Sequence, residues 1–284
     1  MKVKEKVMEI VFLVAACVSI LAVLLICVFL FSSGIPAIGK IGPLNFLGGT
    51  VWKPSNNLFG ILPMILGSIY VTAGAILLGV PIALFTSVFM ARYCPKKIYR
   101  PLKSGIELMA GVPSIVYGFF GLVLIVPLIR QIFGGTGTSM LAACILLGMM
   151  ILPTIIGVTE SAIRSVPESY YEGSLALGAT KERSIFCVML PAAKSGILAA
   201  VVLGIGRAIG ETMAVVMVAG NQPRMPQGIL KGVRTMTANI VTEMGYATGL
   251  HREALIATAV VLFVFILIIN LSLSLLNRRA EHAN

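Results

Sequence analysis

Residues 160–196 read ESAIRSVPESYYEGSLALGATKERSIFCVMLPAAKSG, a polar stretch set between two apolar runs. It is too polar to enter lipid, yet its signals are helical. Ser165-Val-Pro-Glu168 has the form of a capping box, in which the serine hydroxyl accepts from a free N–H at the helix start and Glu168 reaches back to the cap. A short helix is expected from there to Leu177, stopped by Gly178, which can adopt the left-handed conformation that ends helices. Thr180 is expected to cap a second helix, with Glu182 in its first turn and Ile185, Phe186, Val188 and Met189 as its apolar face. Pro191 then turns the chain into the next apolar run.

On both sides the chain is written for lipid. Of 284 residues 58% are apolar and only 12% charged, too few charges to coat a soluble body of this size. Uncharged stretches cover Ile10–Gly39, Pro54–Ala91, Leu108–Ile129, Gln131–Thr159 and Ala254–Asn277, and Ile197–Val218 is interrupted only by Arg207 and Glu211. A spanning helix needs roughly 20 apolar residues. Six spans are therefore predicted, near 8–31, 61–90, 105–128, 140–158, 197–218 and 254–276. The first run outlasts the roughly 7–15 residues of a signal-peptide core, so it is read as an uncleaved anchor. The predicted organisation is an anchor with a first outer loop (1–60), a core (61–276) containing the polar segment 160–196, and a tail (277–284). Trp52, the only tryptophan, lies in the outer loop 32–60 and is expected as an interfacial anchor.

The net charge is +11. With the first span leading outward, the inner segments hold about twice the lysines and arginines of the outer ones, which places both termini in the cytoplasm. Contact with anionic lipid accounts for this charge, and no nucleic-acid partner is called for. The five cysteines fall in spans or inner loops and imply no disulfide framework.

Catalytic chemistry has little to work with. There is no aspartate, and the only histidines are His251 and His282, so neither a metal cluster nor a Ser-His-Asp set can be assembled. No phosphate-cradling GxxxxGK[ST] loop occurs, so any ATP and Mg belong to another chain and no cofactor is expected here. The glycines of 204–210 imitate a dinucleotide fingerprint with the third glycine one residue late, and no strand precedes them. Small residues at helical spacing, Gly111, Ser114, Gly118 and the pair Gly206 and Gly210, are expected to pack helices closely, with Pro113 kinking the third span.

Glu172-Gly-Ser-Leu-Ala-Leu-Gly178, followed by Leu190-Pro191, is similar to the EAA motif of ABC importer permeases, with Gly173 and Ser174 where the motif has alanines. The resemblance implies an all-α integral membrane protein of the type I importer fold, with six transmembrane helices and a cytoplasmic coupling-helix elbow between spans four and five. In that family the elbow docks on an ATPase, a role that would fall here to Glu172, Gly173, Ser174, Gly178, Leu190 and Pro191. Ala110-Gly-Val-Pro-Ser-Ile-Val-Tyr-Gly-Phe-Phe-Gly121 and Gly206-Arg-Ala-Ile-Gly-Glu-Thr-Met-Ala214 resemble the PstC branch, permeases of phosphate importers, over about residues 40–276. That branch implies a PstA-like second permease, a PstB-like ATPase dimer, an extracytoplasmic PstS-like phosphate-binding protein and a bacterial or archaeal inner membrane. The sister PstA branch and permeases for sulfate or molybdate are the alternatives.

Arg207 and Glu211 stand near the middle of the fifth run, where a charge costs about 2.5–3.5 kcal/mol on insertion scales, so both must face protein or water. Glu211 is one turn after Arg207 on the same face, so the two either neutralise each other or serve a pathway. Arg before Glu is the weaker intrahelical order, which favours the pathway. A guanidinium fork matches phosphate oxygens. Phosphate also keeps a P–OH that Glu211 could accept, whereas sulfate has none. Thr212, next in the run, is placed with them.

Overall fold

A lone segment crossing lipid must satisfy its own backbone, which only a helix does, and the apolar runs accordingly fold as helices. The computed structural model describes residues 2–282, with side chains placed for 4–272 and 275. Its first helix, α1 (Lys2–Ile41), is 40 residues long and continues well past the predicted end of the first span. The outer loop expected from residue 32 is thus helical to Ile41. The cause is packing against the last helix: a Cβ at Gly34 would lie 2.5 Å from Val260, so the bare glycine backbone lets the two helices meet. A short α2 (Pro43–Gly48) and a hairpin of β1 (Trp52–Lys53) and β2 (Leu58–Phe59), with Trp52 opposite Phe59, complete this outer segment.

The second span, α3 (Leu62–Val88), ends in a wider π turn, Phe89–Tyr93, closed by Cys94 N–H donating to the Phe89 carbonyl at 2.8 Å. It is followed by α4 (Lys96–Gly111), an amphipathic helix with a basic first half. The third span was expected at 105–128 but runs from Ser114 to Phe133, as α5 (Ser114–Phe120), a π turn (Gly121–Ile125) and α6 (Val126–Phe133). Pro113 supplies the reason: it has no N–H for a helix interior and pushes Val112 into an extended conformation, so the chain breaks rather than bends.

The fourth span, α7 (Met140–Ser165), starts where Ser139 accepts from Ala142 N–H. The elbow follows as α8 (Glu168–Ala176), α9 (Lys181–Ser184), a π turn (Ile185–Met189) and α10 (Leu190–Ala192), and it meets α11 (Lys194–Gly210) at a 69° bend. Gly178 is left-handed (φ 85°) and Thr180 caps α9 by accepting from Arg183 N–H. The capping box at Ser165 does not form. The α7 helix runs through that residue, whose hydroxyl donates to the Ala162 carbonyl, and Pro167, with φ already helical, takes the position before α8. The π turn also rotates the apolar face, so Ile185 and Met189 are buried while Phe186 is exposed.

After α12 (Met213–Val218) comes the outer loop with α13 (Met236–Glu243), and α14 (Gly249–His282) closes the chain along α1. The backbone of the predicted tail continues α14 as far as His282; side chains beyond 275, and residues 1, 283 and 284, lie outside the described residues. The core is built around α7, whose Leu146, Leu147, Met150, Ile151 and Ile155 are buried between α3 and α11. By contrast α1 exposes Phe12, Leu13, Ile20 and their neighbours, a surface that suits only lipid or another protein. Among the described residues five helices are long and apolar enough to cross a membrane, or six if the bent pair Lys181–Ala192 and Lys194–Gly210 is one span.

Candidate transport pathway and coupling elbow

The fifth span is broken at the residues that carry its charge. The α11 helix ends at Gly210, Glu211 is extended (ψ 130°), and α12 restarts at Met213. The break has a local cause. The Glu211 Oε1 accepts from the N–H groups of Thr212 (3.1 Å) and Ala214 (3.2 Å), which caps α12 in place of a continued helical ladder. Arg207, in the last turn of α11, instead donates from Nη1 to Thr154 Oγ1 on α7 at 3.0 Å. The expected same-face pair of Arg207 and Glu211 therefore does not form, because side chains four apart meet only on an unbroken helix. Thr212 sits in the break itself, its hydroxyl donating to the Gly210 carbonyl at 3.2 Å.

A second break lies alongside. Between α4 and α5, at Val112–Pro113, the ladder is interrupted and Tyr117 bridges the gap by donating to the Met109 carbonyl at 2.8 Å. The outer pieces of the two broken segments pack together: a Cβ on Gly118 would lie 2.7 Å from Met217 Sδ and 3.0 Å from the Ala214 backbone. Gly118 thus makes the close contact expected of it. Gly111, Gly206 and Gly210 do not, for among the described residues nothing beyond their chain neighbours and own helix backbone lies within 4 Å of where their Cβ would be. Ser114 begins α5 and is half-buried. Irregular backbone at membrane depth survives only inside protein or beside a water-filled cavity, and the two breaks need such a setting.

At the other end, Ser174 is buried and donates to the Tyr171 carbonyl, while Glu172, Gly173, Gly178 and Pro191 are exposed and Leu190 is half-buried. Val88 and Ile163 form the apolar seat on which Ile185 and Met189 of the elbow pack. Polar clamps surround that seat. Arg92, on the π turn after α3, pairs with Glu168 of α8 at 2.8 Å and lies over the Tyr171 ring, and Lys181 lies over Tyr93. Buried Glu160 accepts from Tyr99 (2.6 Å) and Arg164 (2.7 Å). The sequence reading missed these clamps, although Glu160 and Arg164, four apart at the end of an apolar run, were the available signal.

The outer layer holds a second network. Trp52 is buried rather than interfacial, and its Nε1 donates to Glu243 Oε2 at 2.8 Å. The same oxygen meets His251 Nε2 at 2.8 Å, and Arg234 pairs with the other oxygen. Burial pushes the Glu243 carboxyl up, but the hydrogen bonds from Trp52, His251 and Arg234 and the Arg234 charge outweigh it and hold the group below its ordinary range.

A broken charged span, a helical elbow at one end of the bundle and helices with long exposed apolar faces are the features of a transporter's membrane component. The chain belongs to the family of binding-protein-dependent transport system inner membrane components, whose model matches residues 79–282. It is 39% identical over 273 residues to a probable ABC transporter permease protein, YqgH, of Bacillus subtilis (strain 168), covering 90% of this chain and 87% of that one. It is 32% identical over 265 residues to the phosphate transport system permease protein PstC of Mesorhizobium japonicum, covering 86% and 81%. The fold matches the inward-facing MetNI methionine ABC transporter with a TM-score of 0.64 at 22% identity, over 81% of this chain and 99% of that one.

Proposed function

We propose that this chain is a permease subunit of an ATP-driven phosphate importer, forming half of the pathway with a PstA-like sister. Residues 61–276 supply the permease core, and 1–60 contribute the anchor and part of the outer layer. The observation that carries the reading is Arg207, held by Thr154 at the open end of a broken span. Its remaining donors suit phosphate oxygens, and an always-charged fork needs no proton to bind them. Glu211 uses one oxygen as a helix cap, and its Oε2 has no protein hydrogen bond among the described residues. That oxygen accepts the P–OH of phosphate and repels fully ionised sulfate. Thr212 shapes the break between them. Gly206 and Gly210 keep the flank open for the sister permease or the passing ion.

On the inner side, Glu172, Gly173, Ser174, Gly178, Leu190 and Pro191 form or support the face that meets a PstB-like ATPase dimer, which binds the ATP and Mg. A PstS-like protein delivers phosphate to the outer layer. Both termini are then cytoplasmic, with Arg92, Lys96, Lys97 and Arg100 on the same side as the elbow. The test is uptake of phosphate and of sulfate by vesicles carrying the assembled complex with ATP. ATP-dependent phosphate uptake supports the reading, and preferential sulfate uptake overturns the substrate.

A further inference from the structure

The elbow end of the bundle also holds a cleft that transport leaves unused. It is a cavity of about 680 Å³ between the π turn after α3, the start of α4 and the end of α7, lined by Arg92, Cys94, Lys96, Lys97, Arg100 and Arg164. Its charge is not balanced from within. Arg92 is matched by Glu168 and Arg164 by Glu160, whereas Lys96, Lys97 and Arg100 have no carboxylate within ion-pair distance among the described residues. The 16-residue α4 also begins here, so its free N–H groups and the positive end of its dipole face the same space.

We propose that this cleft binds a phosphoryl group, either free inorganic phosphate on the inner side or the phosphate of an anionic lipid headgroup. Several cations around one cleft, with Lys96, Lys97 and Arg100 unmatched by a carboxylate, favour a compact, multiply accepting anion over a neutral or zwitterionic ligand. Arg92 belongs both to the cleft and to the clamp on α8. A ligand in the cleft would therefore meet the residue that holds α8. The binding itself does not depend on the proposed substrate of the pathway.

Cys94 provides a direct readout because it lines the cleft. In the full chain with Cys17, Cys27 and Cys187 changed to Ser, and buried Cys144 left in place, maleimide labelling of Cys94 is followed in nanodiscs. The discs are of phosphatidylcholine alone or mixed equally with phosphatidylglycerol. Each is measured with sodium phosphate and with sodium chloride at matched ionic strength. If free phosphate is the ligand, it slows labelling in phosphatidylcholine discs, by about tenfold at ten times its dissociation constant. If a lipid headgroup is the ligand, phosphatidylglycerol slows labelling in chloride and phosphate adds nothing. In either case the Lys97→Gln, Arg100→Gln double variant, which alters only exposed side chains, loses most of the protection. Equal rates in all four conditions, a slowing that chloride reproduces in phosphatidylcholine discs, or full protection in the double variant overturns the proposal.

Discussion

Glu211 holds a helix start while Arg207 is tethered to α7, so the two respond differently to substitution. Arg207→Gln keeps polarity and approximate length but removes the cation; phosphate uptake should fall to near background while the purified complex keeps its subunits. Glu211→Ala removes the acceptor for two N–H groups and should cost about 0.5–2 kcal/mol, read as a lower unfolding midpoint. The exchanged double variant, Arg207→Glu with Glu211→Arg, should not recover uptake, since no ion pair is there to restore. Recovery would show that the two charges do meet. Glu243 gives a pH signature. Its folded-state carboxyl is held below the ordinary range, so the stability it contributes is present above the unfolded pKa and is lost as pH falls through the lower folded value. Fluorescence of Trp52, the only tryptophan and a direct partner of Glu243, should report an acid loosening of the outer layer. Glu243→Gln should flatten that acid transition and lower stability at neutral pH. Arg207 could be read in the sequence because a charge inside an apolar run has no ordinary explanation. Arg92 could not, because a charge at the end of such a run is already accounted for by the membrane surface, and Glu160 was signalled only by its spacing from Arg164.

Helix ends were legible where one residue decides them and illegible where two signals compete. Gly178 and Thr180 act where they were expected, each satisfying backbone groups that nothing else reaches. Ser165 was outbid by Pro167, and Pro113 broke a span that hydropathy alone would carry through. Periodicity could not reveal the π turns, since one residue of slippage looks like noise in an apolar run. Gly178 offers the sharpest test of the elbow. At φ 85° a side chain costs about 1–2 kcal/mol, so Gly178→Val should disturb the turn between α8 and α9 more than Gly178→Asn, which tolerates that region. In vesicles the valine variant should lose phosphate transported per ATP hydrolysed while its membrane level holds. Unchanged coupling with Gly178→Val would remove the elbow from the mechanism.

The arrangement as a whole joins an outer layer of α1, α2, the hairpin, α13 and α14 to an inner elbow through a core in which α7 is the common wall. Six spans were legible from hydropathy, but their borders were not, because α4 is basic enough to leave the lipid and α1 runs on against α14. Sidedness is testable directly. With the native reactive cysteines removed, single cysteines beside Lys97 and Lys181 should resist a membrane-impermeant thiol reagent in intact cells, and one beside Lys231 should react. The reverse pattern would invert the whole topology. The open face at Gly206 and Gly210 suits a second permease, since close helix approach needs the small residues this chain leaves uncovered. One local feature reaches across these levels. The π turn at Phe89–Tyr93 stores a single extra residue at the end of α3, and each residue is worth about 100° of rotation. A relative one residue shorter there would keep the same helices and every loop, and an alignment would score the gap as trivial. Its α4 would nonetheless leave the membrane in another direction, and the arginine that reaches α8 would point away from it.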